Sequence, residues 1–123
     1  MTKVILDTNF IMNCVRKKFD FFEEILNIGH RILIPKEVLL EIERLKKDAK
    51  SKKDRDIAEF ALKVISANDY DLISCPGKYV DKGIIDYLET KPEFILATYD
   101  KDLKKKVRNS ILVLRGKKKL EIV

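Results

Sequence analysis

Lys3-Val4-Ile5-Leu6-Asp7-Thr8-Asn9-Phe10-Ile11-Met12-Asn13-Cys14-Val15 is the stretch that decides the fold class. Lys3 to Leu6 is a short apolar run without polar alternation, which predicts a strand buried on both faces. From Thr8 the period changes. Phe10, Ile11, Cys14 and Val15 fall at helical spacing, so a helix is predicted from Thr8 to about Lys18. A buried strand that hands an acid, Asp7, straight to a helix is a unit of a parallel α/β sheet.

The same alternation continues outward. Asp20 can cap a helix over Phe21 to Ile28 that stops at Gly29. Arg31 to Ile34 is the next strand, and Pro35 can open a helix over Lys36 to Lys47. Lys46 to Asp56 is polar and reads as a loop or frayed helix end. Ile57 to Ser66 is helical, Asp71 to Ser74 a short strand, and Pro76-Gly77 a turn. Tyr79 to Thr90 reads as a helix, Glu93 to Thr98 as a strand and Asp100 to Arg108 as a helix. Ile111 to Leu114 and Leu120 to Val123 read as final strands, the last at a sheet edge. The predicted architecture is a three-layer α/β/α sandwich around a mainly parallel sheet, one domain over residues 1–123.

Charged residues make up 37% of the 123 residues and hydrophobic ones 46%, which excludes a disordered chain. No apolar run approaches the ~20 residues of a membrane span. Asp7 interrupts the first apolar run too early for a signal peptide, so a cytoplasmic protein is expected. The two cysteines, Cys14 and Cys75, sit among apolar neighbours without zinc-site spacing and read as buried hydrophobes. The net charge of +6 is compatible with an anionic partner such as nucleic acid, and equally with a solvated surface.

In parallel sheets the site lies beyond the carboxyl ends of the strands. Asp7 and Asp100 follow strands there, with Asp102 two residues on. On its helical wheel Glu41 borders the stripe of Val38, Leu39, Ile42 and Leu45, while Glu37 lies on the same side one turn earlier and further out. Asp81 falls inside the arc of Val80, Ile84, Ile85 and Leu88, whereas Asp86 faces away. An acid on a buried face must be paired, hydrogen-bonded or metal-bound, or must cap its helix. Were Asp7, Glu41, Asp81 and Asp100 to share one cleft, their repulsion would favour a divalent cation, and hard oxygen donors suit Mg²⁺ or Mn²⁺. Such ions support phosphodiester hydrolysis. The single histidine, His30, and the lack of a Gly-rich phosphate loop argue against imidazole chemistry and P-loop nucleotide binding.

These residues resemble the PIN-domain nucleases. Leu6-Asp7-Thr8-Asn9 is similar to the family's opening motif, and Ile34 to Leu45 to its second, with Glu41 at the acid. Val80-Asp81 resembles the third motif and Ala97-Thr98-Tyr99-Asp100-Lys101-Asp102-Leu103 the fourth. The resemblance spans nearly the whole chain. It implies a parallel sheet between helices and Mg²⁺- or Mn²⁺-dependent endoribonuclease activity. Asp7, Glu41, Asp81 and Asp100 are implied as metal ligands and catalytic residues. Asp102 is implied to contribute through a second metal or a water, and Thr8, Asn9 and Thr98 to orient ligands or phosphate. Many relatives carry a second acid after the third-motif Asp. Here that position is Lys82, which weakens a second metal site or binds phosphate instead. The closing pattern is most similar to compact archaeal members related to rRNA-processing endonucleases, with VapC-type toxins the near alternative. The resemblance implies RNA and an antitoxin or ribosome-assembly protein as partners; exposed apolar residues allow a homodimer, and no membrane partner is expected.

Acids alone would repel phosphate, so RNA-backbone contacts are expected from basic runs. The first run is Lys46, Lys47, Lys50, Lys52, Lys53 and Arg55; the second is Lys104 to Lys106 with Arg108, from which Lys104, Lys105 and Arg108 are the candidates, together with Lys82. Three rivals stand beside this reading. A phosphatase would want Asp-x-Asp, but Asp7-Thr8-Asn9 lacks the second acid. A non-catalytic RNA-binding PIN domain would have lost acids that are all present here. A partner-dependent subunit would use exposed apolar residues such as Leu40 and Tyr87 at an interface.

Overall fold

β1 (Thr2–Leu6) runs through the middle of a six-stranded sheet, and its Val4, Ile5 and Leu6 are fully buried, as a strand covered on both faces requires. The computed structural model describes residues 1–123. After β1 the chain forms α1 (Thr8–Arg16), α2 (Phe21–Asn27), β2 (His30–Pro35), α3 (Lys36–Asp48) and α4 (Lys52–Ser66). It continues through β3 (Asp71–Ile73), α5 (Val80–Leu88), β4 (Ile95–Ala97), α6 (Lys101–Lys105), β5 (Ser110–Arg115) and β6 (Lys119–Ile122). The strand order is β3-β2-β1-β4-β5-β6. Every pairing is parallel except β5 with β6, which closes one edge antiparallel.

The chain steps from β1 to β2 to β3 in one direction, then returns past β1 to β4 and β5. Right-handed crossovers therefore put α1 to α4 on one face and α5 and α6 on the other. The three-layer sandwich is thus as predicted. The direction reverses between β1 and β4, and at such a point the connections splay apart and leave a crevice at the carboxyl ends of the strands. The core beneath it is built from β1, β2, β4 and β5 with Phe10, Phe21, Phe22, Ile25, Ile42, Ile65, Ile84 and Leu103 from the helices.

Several predicted boundaries move. The span Lys46 to Asp56 is mostly helix: α3 runs to Asp48, and α4 begins at Lys52 because Ser51 caps it, accepting a hydrogen bond from the Asp54 amide at 3.1 Å. α1 ends at Arg16, and Lys18 turns the chain with φ +57. Gly29 ends α2 with φ +86, a conformation that suits glycine. α5 stops at Leu88, α6 at Lys105, and β4 starts only at Ile95. Leu45, assigned to the buried stripe of α3, is 44% exposed, because that helix buries mainly Val38 and Ile42. Tyr87 is half-buried, its ring against Phe94 with the Lys91 ammonium 4.1 Å from its centroid, so it is used within the chain rather than left for an interface. Leu40 is exposed, as its place opposite the stripe predicts, and both cysteines are buried and free. No helix is long and apolar enough to cross a membrane.

Candidate active site

Asp7 and Thr98 meet because β1 and β4 pair in register. Leu6 lies beside Ala97, and the Asp7 amide extends the ladder by donating to the Ala97 carbonyl at 3.0 Å. The next side chains out of the sheet are then neighbours, although 91 residues separate them. The Thr98 hydroxyl donates to Asp7 Oδ2 at 2.7 Å and accepts from the Asp100 amide at 3.1 Å. Asp7 Oδ1 accepts from the Thr8 amide at 2.9 Å and so caps α1. Asp100 caps α6: its Oδ1 accepts from the amides of Asp102 and Leu103 at 2.9 and 3.1 Å. Capping and site-building are therefore the same act for both acids.

The corner after β4 is held from two more sides. Asn9 Oδ1 accepts from the Tyr99 amide at 3.0 Å. The Tyr99 hydroxyl donates to the Leu114 carbonyl and accepts from the Leu114 amide, at 2.8 and 2.7 Å, while its ring stacks on Phe10. Asn9 and Thr98 thus hold the Asp7 carboxylate and the corner after β4 by these hydrogen bonds. Thr8 is buried beside Asp7, and its hydroxyl oxygen has no hydrogen-bond partner.

Glu41 and Asp81 enter from opposite layers, on α3 and α5, each half-buried. Electrostatics ties them to the other acids. Asp7 is only 4% exposed, and burial first of all raises its carboxyl to about 6, against the Thr98 and Thr8 hydrogen bonds and with help from the charges of Asp81 and Glu41. Burial likewise holds Asp81 above its ordinary range, reinforced by the nearby charges of Asp100 and Glu41; Lys106 pulls it back down. The charges of Asp81 and Glu41 thus reach Asp7, and those of Asp100 and Glu41 reach Asp81. Asp102 is exposed, and its recorded bond to Asp100 is through its backbone amide.

In kind these donors fit a hard divalent cation: carboxylate oxygens, with an unsatisfied hydroxyl next to the most buried of them. In position they stand apart, and no three acids converge on one point closely enough to hold an ion. Uncompensated carboxylates repel, and a cation is what would draw them in.

The basic residues divide. Lys82, Lys106 and Arg108 line one cavity of about 600 Å³ between α5 and the connection from α6 to β5, with Asp86 and Glu89. Lys82 is paired there with Asp86 at 2.9 Å. Lys106, passed over among the sequence candidates in favour of its neighbours Lys104 and Lys105, is the lysine whose charge reaches Asp81. A lysine run carries no periodic signal that would single it out. The first basic run lies elsewhere. Lys46, Lys47 and Arg55 line a separate concavity with Glu43 and Arg44, and Lys52 and Lys53 rim an apolar one floored by Phe19, Ile57 and Phe60. None of these three cavities is lined by any of the four acids, and Lys106 is set apart only by its charge on Asp81. His30 opens β2 at the far end of the sheet, paired with Thr2.

The sequence and the fold have known counterparts. The model of the PIN-like domain family matches residues 4–117. Ribonuclease VapC4 of Methanocaldococcus jannaschii is 32% identical over 128 aligned positions, which take in 99% of this chain and 97% of that protein. The rRNA-processing protein fcf1 of Schizosaccharomyces pombe is 29% identical over 110 positions, taking in 85% of this chain and 53% of that protein. Among solved structures, that of the PIN domain endonuclease Utp24 superposes with a TM-score of 0.78 at 26% identity, covering 98% of this chain and 90% of the other.

Proposed function

The chain belongs to the PIN-like domain family, and from that premise we propose that it is an endoribonuclease that hydrolyses RNA phosphodiester bonds with a Mg²⁺ or Mn²⁺ ion held by Asp7, Glu41, Asp81 and Asp100. The observation that carries this reading is the meeting of Asp7 and Asp100 through the Thr98 hydroxyl at the carboxyl edge of the sheet, with Asp81 and Glu41 near enough for their charges to help raise the buried Asp7 carboxyl. A divalent ion bound there would neutralise the carboxylates, activate a water and stabilise charge on the leaving oxygen. The rest is supplied by the chain. Thr98 holds one oxygen of Asp7 and the Asp100 amide, which fixes the two acids relative to each other. Asn9 and Tyr99 lock the corner that carries them. Lys106, beside Asp81, offers a positive contact to a phosphate, and Lys82 and Arg108 extend that contact along one cavity.

Cleavage of an end-labelled single-stranded RNA tests the reading. The parent cuts internally with Mn²⁺ and stops when the metal is chelated, and Asp7→Asn and Asp100→Asn lose at least ~100-fold in rate. Equal cutting by Asp7→Asn, or by the parent without metal, overturns it.

The physiological role we favour is rRNA processing, supported by the 26% identity and close superposition with Utp24 and by the match to fcf1. A second reading, a toxin ribonuclease with an antitoxin partner, is favoured by the full-length 32% identity to VapC4. The filled acid positions speak against a non-catalytic RNA-binding domain.

A further inference from the structure

Glu37 stands one turn before Glu41 on α3 but turns to a different task. Its Oε1 accepts from the Cys75 amide at 2.8 Å, and its Oε2 lies 3.4 Å from the Ser74 hydroxyl, which donates to it. Both partners belong to the connection from β3 to α5, 37 and 38 residues further along the chain. That connection presses on α5 at its other side. A Cβ placed on Gly83 would sit 1.9 Å from the Cys75 carbonyl oxygen, and one on Gly77 would sit 2.7 Å from the Gly83 nitrogen. The two backbones therefore touch with no side chain between them. One residue, Cys75, thus faces Glu37 through its N–H and Gly83 through its C=O. Gly83 is two residues from Asp81, and Glu37 is one helical turn from Glu41.

We propose that Glu37 is a positioning residue: through Cys75 and the glycine contact it ties α3 to α5 and so sets how Glu41 and Asp81 stand relative to each other. The tie is needed because the two acids come from opposite layers of the sandwich, with no strand pairing of their own to hold them. Asp7 and Thr98 have the β1–β4 ladder; Glu41 and Asp81 have this strap. The contact is half-buried, so the carboxylate–amide bond is shielded from competing water. The proposal rests on the reading of Asp7, Glu41, Asp81 and Asp100 as an ion-holding set.

The test measures Mn²⁺ affinity by calorimetry, and amide hydrogen exchange in metal-free protein, for the parent, Glu37→Ala, Glu37→Asp and Glu37→Gln. Glutamine keeps an acceptor oxygen at the same reach, whereas aspartate keeps the charge but falls short of Cys75. We expect Glu37→Gln within about two-fold of the parent, and Glu37→Ala and Glu37→Asp weaker by about ten-fold or more. Exchange should quicken at the Cys75 amide and along the first turn of α5 in the two weak variants only. Should Glu37→Ala not fold, the comparison of Glu37→Asp with Glu37→Gln carries the same decision. A parent that binds Mn²⁺ with Glu37→Asp binding equally well overturns the positioning role. Glu37→Gln as weak as Glu37→Asp, with its Cys75 amide still protected, also overturns it, since the charge and not the tie would then matter. A parent that binds no Mn²⁺ overturns the ion-holding reading itself, and this role with it.

Discussion

Asp7 shows how one residue reconciles three demands: it continues a strand ladder, caps a helix and carries a charge into a place that is 4% exposed. The conflict has a pH signature. Its folded pKa of about 6 lies above the unfolded value of 3.8, so the folded protein holds this proton more tightly. The stability it contributes is complete below pH 3.8 and is lost as pH rises through about 6. Above that the ionised carboxylate costs at most about 3 kcal/mol. Asp7→Asn in metal-free buffer is therefore expected to unfold ~1–3 kcal/mol harder than the parent at pH 7.5, with the difference gone by pH 4. Urea titrations at the two pH values check this, and an unchanged difference between them would refute it. Asp7 and Asp100 were legible in the sequence because one follows an apolar run directly and the other lies two residues beyond a predicted strand. Glu41 and Asp81 were legible because 100° steps placed one at the border of a buried stripe and the other inside a buried arc. Glu37 was not. Its partners lie 37 and 38 residues away, and no helical wheel reports a tertiary hydrogen bond.

At the scale of elements, the hydrophobic period marked every strand and helix core, and the errors fell at their ends. The clearest is the start of α4. Lys52 to Asp56 has no apolar residue and so no period, yet Ser51 with Asp54 three residues on is a cap signal that was there to be read. β4 ends at Ala97 rather than Thr98 because Thr98 leaves the sheet to bind Asp7. α5 is the element with the least freedom. Its Gly83 backbone lies against Cys75, and a methyl group there would meet backbone rather than a yielding side chain. Gly83→Ala is accordingly expected to lose ~1–3 kcal/mol of stability by overpacking. Because the helix must shift, Mn²⁺ affinity should fall in the same variant, as measured by chemical denaturation and calorimetry. An alanine variant as stable as the parent would mean that the contact is loose.

For the molecule as a whole, acids gather at the crevice while much of the net charge of +6 lies on lysine-rich surfaces around it. Under the proposed function, placement more than total charge decides which surface would meet RNA. The charge of Lys106 reaches Asp81, whereas Lys46, Lys47 and Arg55 line a concavity with Glu43 and Arg44. Measured with catalytically silent Asp100→Asn protein, Lys106→Ala should weaken single-stranded RNA binding. It should also flatten the plot of log affinity against log salt by ~0.7, one phosphate contact. Lys47→Ala should leave both unchanged, and the opposite pattern would move the RNA to the other surface. The proposed ion is the component to test first, since it is what would hold together four acids from four places in the chain. The most direct measurement is the melting temperature of the parent and of Asp7→Asn, each with and without millimolar Mn²⁺ at pH 7.5. The parent should rise by several degrees with Mn²⁺, as ligand binding to the folded state requires, and Asp7→Asn should start higher and gain little. A parent that does not respond, or a variant that gains as much as the parent, would contradict a shared metal site.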